Sequence, residues 1–285
     1  MKKLGTVFLL FITLQGFAQN ASDSIFISLQ SALANPKKVK NLSLVNQKLK
    51  AFPKEIFLFE NLETLNLGFN KIKKLPSDID RLTKLVSLEI DNNYIKELPV
   101  GIYRLKNLVK LKIDNNNIKE IGDSIENLTR LESLTFPGNW YIKVSAKVGN
   151  LKHLKELRFR DTKTTEVPAW VENLAPTLEV LCFTKNAIKE IPLFVFKMDK
   201  LNYLSFYKNQ ITIVPPQVAN LPLLEYFNVA ANPVTDVPQT ITQLKYLHWL
   251  CLWKTKIPPA KQAEIKKWFK NRPNVIVKFT DEGVV

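Results

Sequence analysis

The stretch LEIDNNYIKELP, Leu88 to Pro99, returns almost letter for letter as LKIDNNNIKEIG, Leu111 to Gly122. A phrase repeated twenty-three residues on restricts a chain more than any composition does, because it implies stacked copies of one unit in place of one enclosed core. The interval persists through the 285 residues. An aliphatic side chain opens each unit from Val39, Leu62 and Leu85 to Leu201, Leu224 and Leu247, and only the step from Leu154 to Leu178 is one residue too long. Ten units are readable in this way.

Spacing within one unit predicts its local structure. Positions 4 and 6 are apolar in every copy (Leu65 and Leu67, Leu88 and Ile90) with polar neighbours, the alternation of a short strand with one buried face. Position 9 is Asn in seven copies, from Asn70 to Asn232, where the strand ends and the turning backbone needs partners. An amide side chain can donate and accept there. Position 15 is usually Pro, as at Pro53, Pro76 and Pro99, which stops a strand and presets the return path. Positions 18 and 21 are apolar again, as in Ile79 with Leu82, so the return leg is buried on one side. A unit this short cannot cover its own apolar face, and the next copy must do so.

The pattern LxxLxLxxNxIxxLPxxIxxLxx resembles the leucine-rich repeat family, in its 23-residue form with LPxxIxxL in the second half. The resemblance implies an α/β fold, a right-handed solenoid or horseshoe with a parallel sheet on its concave side and 3₁₀ or helical turns on its convex side. Gly122 and Ser145 stand where Pro is expected and Tyr141 where Ile is, so irregularity is predicted around residues 137–147.

Both ends read as caps that hide the terminal apolar edges. Residues 19–38 form the first, with Phe26, Leu29 and Leu33 on one helical face behind N-cap candidates Ser22 and Asp23. The repeats occupy 39–255. Residues 256–285 form the second cap, a helix carrying Ile265, Trp268 and Phe269 followed by a strand from Val275 to Phe279. Ahead of these, Lys2 and Lys3, an apolar run and the small residues Gly16 and Ala18 match a signal peptide over 1–18, leaving Gln19 first in an exported, periplasmic or secreted protein. That run is shorter than the ~20 residues of a membrane span, and no Cys near the cleavage point supports a lipid anchor.

The formal charge is +15. It can be a solvated outer face that maintains solubility, or an attraction to polyanions. No aromatic-interleaved basic stripe or nucleic-acid motif is evident, so no nucleic-acid partner is expected. The sequence has two His, His153 and His248, eight Gly, and no HExxH, GxSxG, GxxxxGK or CxxC motif. We therefore expect no catalysis, no cofactor and no metal. Cys182 and Cys251 share position 5 three copies apart, ~14 Å by strand spacing, and are expected to be free.

What the fold leaves unassigned is the outward face of the sheet, positions 3, 5 and 7. There Tyr203, Tyr226 and Trp249 form a column expected to stack side by side, Tyr207 and Trp253 extend it, and Lys110, Lys112, Arg158 and Arg160 form a basic strip beside it. Phe136, Phe159, Phe183 and Phe206, at position 6, point into the core instead. Aromatic rings beside basic residues have the composition of a protein interface. The expected function is a non-enzymatic scaffold that takes a protein or peptide on its concave face. Two alternatives stay open: a carbohydrate-binding module using the same rings, and a polyanion-binding envelope protein. The rings can also be covered by the cap.

Overall fold

A computed structural model describes residues 24–280; the signal-peptide reading of 1–18 and the cap candidates Ser22 and Asp23 lie outside them. The described residues form a leucine-rich repeat solenoid. Its main sheet has twelve parallel strands of two or three residues each. Neighbours align without slip, Thr64 with Ser87, Ser87 with Lys110 and Tyr203 with Tyr226. Since side chains alternate along a strand, this register puts each repeat position into one column.

Inward columns make the core. Leu65, Leu88, Leu111 and Leu134 are sealed, as are Leu67, Ile90 and Ile113. In the later units position 6 becomes aromatic, and the rings stack as the columns require: Phe136 and Phe159 edge to face at 4.6 Å, Phe159 and Phe183 stacked at 4.7 Å, Phe183 and Phe206 at 5.8 Å. These four rings are core.

The Asn column closes the turns. The Asn70 amide donates to the Leu44, Leu67 and Gly68 carbonyls and accepts from the Gln47 and Leu49 N–H groups. Asn93, Asn116, Asn209 and Asn232 repeat the arrangement. Thr162 replaces Asn in one unit, and Asn186 accepts from both Thr162 and Thr164 backbones there.

Position 8 is left-handed in each unit, from Asn46 (φ 57°) through Phe69 (56°) and Gly138 (73°) to Lys254 (53°). Only Gly138 requires glycine for space as well: a Cβ there would meet Asn115 Oδ1 at 2.2 Å.

The return legs are 3₁₀ turns, mostly preceded by the expected prolines, as Pro99 before Val100–Arg104 and Pro192 before Leu193–Lys197. The long step is absorbed here: Ala169–Leu174 runs to six residues where its neighbours have five. Gly122 (φ −78°, ψ 175°) and Ser145 (φ −61°, ψ 141°) hold the extended backbone that proline would impose. The predicted irregularity is a second parallel pair, Glu120–Ile121 with Lys143–Val144.

One end differs from expectation. Phe26 is not on a helix: Ile25–Phe26 is a strand paired with Asn41 and Leu42, and the helix spans only Leu29–Leu33, capped by the Ser28 hydroxyl. The open edge of the first repeat strand offers backbone partners that outweigh one more helical turn. At the other end the helix Pro259–Trp268 buries Ile265, with Phe269 buried just beyond it. The strand Ile276–Lys278 then closes the sheet beside Trp249–Cys251. Both thiols are buried and free.

Candidate functional site

The outward face of the main sheet carries the candidate site, and its columns divide it into a polar, an ionic and an aromatic zone. The polar zone holds a shallow recess of 260 Å³ bordered by Ile25, Thr64, Asn66, Ser87 and Glu89.

In the ionic zone the predicted basic strip, Lys110, Lys112, Arg158 and Arg160, is interleaved with acids. Lys110 Nζ lies 2.5 Å from Glu89, Lys112 Nζ 3.3 Å from Asp91, and Arg158 Nε 2.5 Å from Glu156. Glu156 also accepts from Ser133, and Asp114 from Thr135. Arg160 is exposed at the edge of the zone. The carboxylates occupy positions 3, 5 and 7, so the spacing that found the bases contains them as well. Burial opposes the charge on Arg158, but Glu156 beside it, with Cys182 and Tyr203 adding, more than reverses this and raises its pKa. Burial likewise opposes ionisation of Glu156, yet Arg158 and the Ser133 hydroxyl hold its pKa below the usual value. Asp114 lacks so close a cation: burial pushes its pKa up to about 6, with the Thr135 bond and Lys112 opposing and Asp91 adding.

In the aromatic zone, Tyr203 and Tyr226 stack in parallel, centroids 4.4 Å apart and planes within 1°. Arg158 lies over the outer Tyr203 face, 5.3 Å from its centroid, and so ties the ionic zone to the aromatic one. Burial raises both phenol pKa values, with Cys182 adding at Tyr203 and Cys251 at Tyr226, so both rings keep their hydroxyl protons. The Tyr226 oxygen accepts from the Asn228 amide and the Cys251 thiol.

Two of the five rings depart from expectation. Trp249 is half-buried but lies under the Lys278 ammonium at 4.9 Å, on the far side from the tyrosine pair. The cap strand, whose register the repeat does not predict, brings Lys278 there. Trp253 is not surface at all: it is 6% exposed. It and Tyr207 share position 7 in units flanking Ala230, and strands two apart are separated by ~9.6 Å. Their centroids nevertheless lie 4.8 Å apart. The rings lean together over the Ala230 methyl and, with Cys251 and Tyr226, form a small apolar cluster outside the main core. The Trp253 indole N–H is buried there without a hydrogen-bond partner among the described residues.

Among the described residues there is no group of three or more His, Cys, Asp or Glu placed to hold a metal ion. None of their helices is long and apolar enough to cross a membrane.

A family model described as a leucine-rich repeat region matches residues 28–134. No curated protein matches the sequence. Among solved structures, the internalin inlF of Listeria monocytogenes is 26% identical, with a TM-score of 0.73 over 86% of this chain and 68% of that one. The leucine-rich repeat ectodomain of the Arabidopsis thaliana membrane receptor kinase GASSHO1/SCHENGEN3, solved in complex with CASPARIAN STRIP INTEGRITY FACTOR 2, is 26% identical with a TM-score of 0.64. It matches 77% of this chain, which spans 27% of that one. The internalin inlC2 of Listeria monocytogenes, 24% identical with a TM-score of 0.59 over 70% of this chain and 82% of that one, has the same fold.

Proposed function

On the premise that this chain is a leucine-rich repeat protein, we propose that it is a non-enzymatic scaffold binding a protein or peptide on its concave face, at the junction of the ionic and aromatic zones. One observation carries this reading: Tyr203 and Tyr226 stack beneath Arg158 on the sheet face, half-buried and outside the main core. Stacked tyrosines with an arginine across them offer large rigid contact area, aromatic faces and fixed donors in one place, the make-up of interface anchors. The paired ions beside them set polarity, so a ligand lying across the strands meets alternating charge and then rings. The receptor ectodomain solved with a bound factor supports the reading by analogy of fold. The leader-like run over 1–18 and this kinship with an ectodomain support an exported protein.

The test is a peptide display library panned on the parent chain, with selected peptides measured against a Tyr203→Ala, Tyr226→Ala, Trp249→Ala variant. An anchor cluster is worth 2 kcal/mol or more, so affinity should fall by about a hundredfold or beyond while the circular dichroism spectrum is retained. Peptides that bind both chains equally would place the site elsewhere. Selection of no peptide, with binding on a glycan array, would favour a carbohydrate ligand for the same rings.

A further inference from the structure

We propose a second interaction surface, separate from the concave face: the turn edge of the first five units, which docks on an anionic lipid membrane. Position 12 of four consecutive units is lysine, Lys50, Lys73, Lys96 and Lys119, and all four are exposed. The turns that bear them stack rung upon rung. Lys71 N–H donates to the Leu49 carbonyl, Tyr94 to Ile72, Asn117 to Ile95 and Lys119 to Lys96. Four ammonium groups are thus held in one column at about the spacing of the strands, ~5 Å. None of the four forms an ion pair among the described residues, although the concave lysines do. Glu97 and Glu120 follow two of them, and Glu120 already faces Lys143 at 4.0 Å. A column of like charge opposes its own folding, and no ion pair among the described residues relieves it.

The same edge exposes rings that the core does not use. Phe69, Tyr94, Trp140 and Tyr141 are 57%, 53%, 58% and 74% exposed, and all sit at positions 8 to 11, in the turn that leaves the strand. Phe69 (φ 56°), at position 8, and Tyr141 (φ 59°), at position 11, do so in left-handed backbone, which is disfavoured for bulky side chains. Lys163 extends over Trp140 at 5.5 Å.

Exposed Phe, Tyr and Trp among unpaired lysines match the boundary between lipid headgroups and acyl chains: rings enter the interface while ammonium groups on long stems stay at the phosphates. Charge complementarity favours this occupant, since the chain carries +15 overall. The bases at positions 10 and 12 of the first four units are all Lys, with no Arg. Compact hydrated charges suit a diffuse headgroup field, whereas carboxylates on a protein partner are better met by the bidentate fork of Arg.

The experiment is co-sedimentation of the full chain with vesicles of phosphatidylcholine alone or mixed with phosphatidylglycerol. The parent should bind the anionic vesicles, and binding should weaken steeply as rising salt shortens the screening length from ~10 Å to ~3 Å. Replacing Lys50, Lys73, Lys96 and Lys119 by Gln should reduce partitioning by about a hundredfold or more. A second variant, Phe69→Asn, Tyr94→Asn and Trp140→Asn, should weaken binding while keeping its salt dependence. The concave variant at Tyr203, Tyr226 and Trp249 should bind as the parent does, which separates this surface from the concave site. Equal binding to both vesicle types, unchanged binding by the lysine variant, or binding to a soluble acidic polysaccharide and to no vesicle would each overturn the proposal.

Discussion

Trp253 offers the sharpest test of how the aromatic zone is built, because its ring and its N–H make opposite contributions. The ring is buried against Tyr207 over Ala230, while the indole N–H has no partner among the described residues. A buried donor left unpaired costs about 1–3 kcal/mol. Trp253→Phe removes that donor and gives up roughly 40 Å² of apolar surface, about 1 kcal/mol at ~25 cal/mol per Å². The Phe variant should therefore be between unchanged and about 2 kcal/mol more stable. Trp253→Ala removes the ring as well; the ~3–5 kcal/mol of a buried aromatic, less the donor's cost, leaves about 2 kcal/mol lost. In thermal melts this opposes a small rise against a fall of roughly 4–8 °C, at ~2–4 °C per kcal/mol for a chain of this size. Urea midpoints followed by far-ultraviolet circular dichroism should rank the three chains identically. If the Phe variant loses as much as the Ala variant, the N–H has a partner after all, with the face of the Tyr207 ring the candidate.

Phe159 lies between Phe136 and Phe183 and is 2% exposed, so Phe159→Ala should cost about 3–5 kcal/mol and accelerate hydrogen exchange first in the adjoining units. Asp114 has a pKa of about 6 in the fold against 3.8 without it, so the fold binds its proton more tightly than the unfolded chain does. Its stability contribution is complete below pH ~4 and lost as pH rises through ~6; Asp114→Asn should flatten urea midpoints across that window and stabilise the neutral protein by about 1 kcal/mol after solvent screening. Gly138→Ala sets a Cβ on Asn115 at φ 73° and should cost about 2 kcal/mol, lowering the melting temperature and releasing the Asn115 to Asn92 bond.

The periodic features of this fold are legible in its sequence because each repeats one physical requirement. Leucine columns, the Asn that closes the turn and the Pro before each 3₁₀ leg recur where the backbone needs them. The left-handed position 8 is not legible, since Asn, Phe, Gly, Asp, Lys and Ala all occupy it and the turn, not the side chain, imposes the conformation. Phe26 shows the ambiguity of a short apolar run, helical by spacing yet drawn into a strand by a vacant sheet edge. The repeat columns fix the register of the candidate residues, but their pairing and burial depend on neighbours. Lys112 finds Asp91 one unit back, and Trp253 is buried only because the residue between it and Tyr207 is as small as Ala230. Lys278 reaches Trp249 through a cap strand whose register no repeat dictates.

The proposed site for partners is the concave face where Arg158 crosses the stacked tyrosines. A photo-crosslinking amino acid placed at position 203, and separately at exposed Val100 on a convex turn, tests it most directly in cells of the native host. Position 203 should yield a discrete protein adduct and position 100 none. A protein adduct from position 100 alone, with position 203 silent in a folded chain, would contradict it.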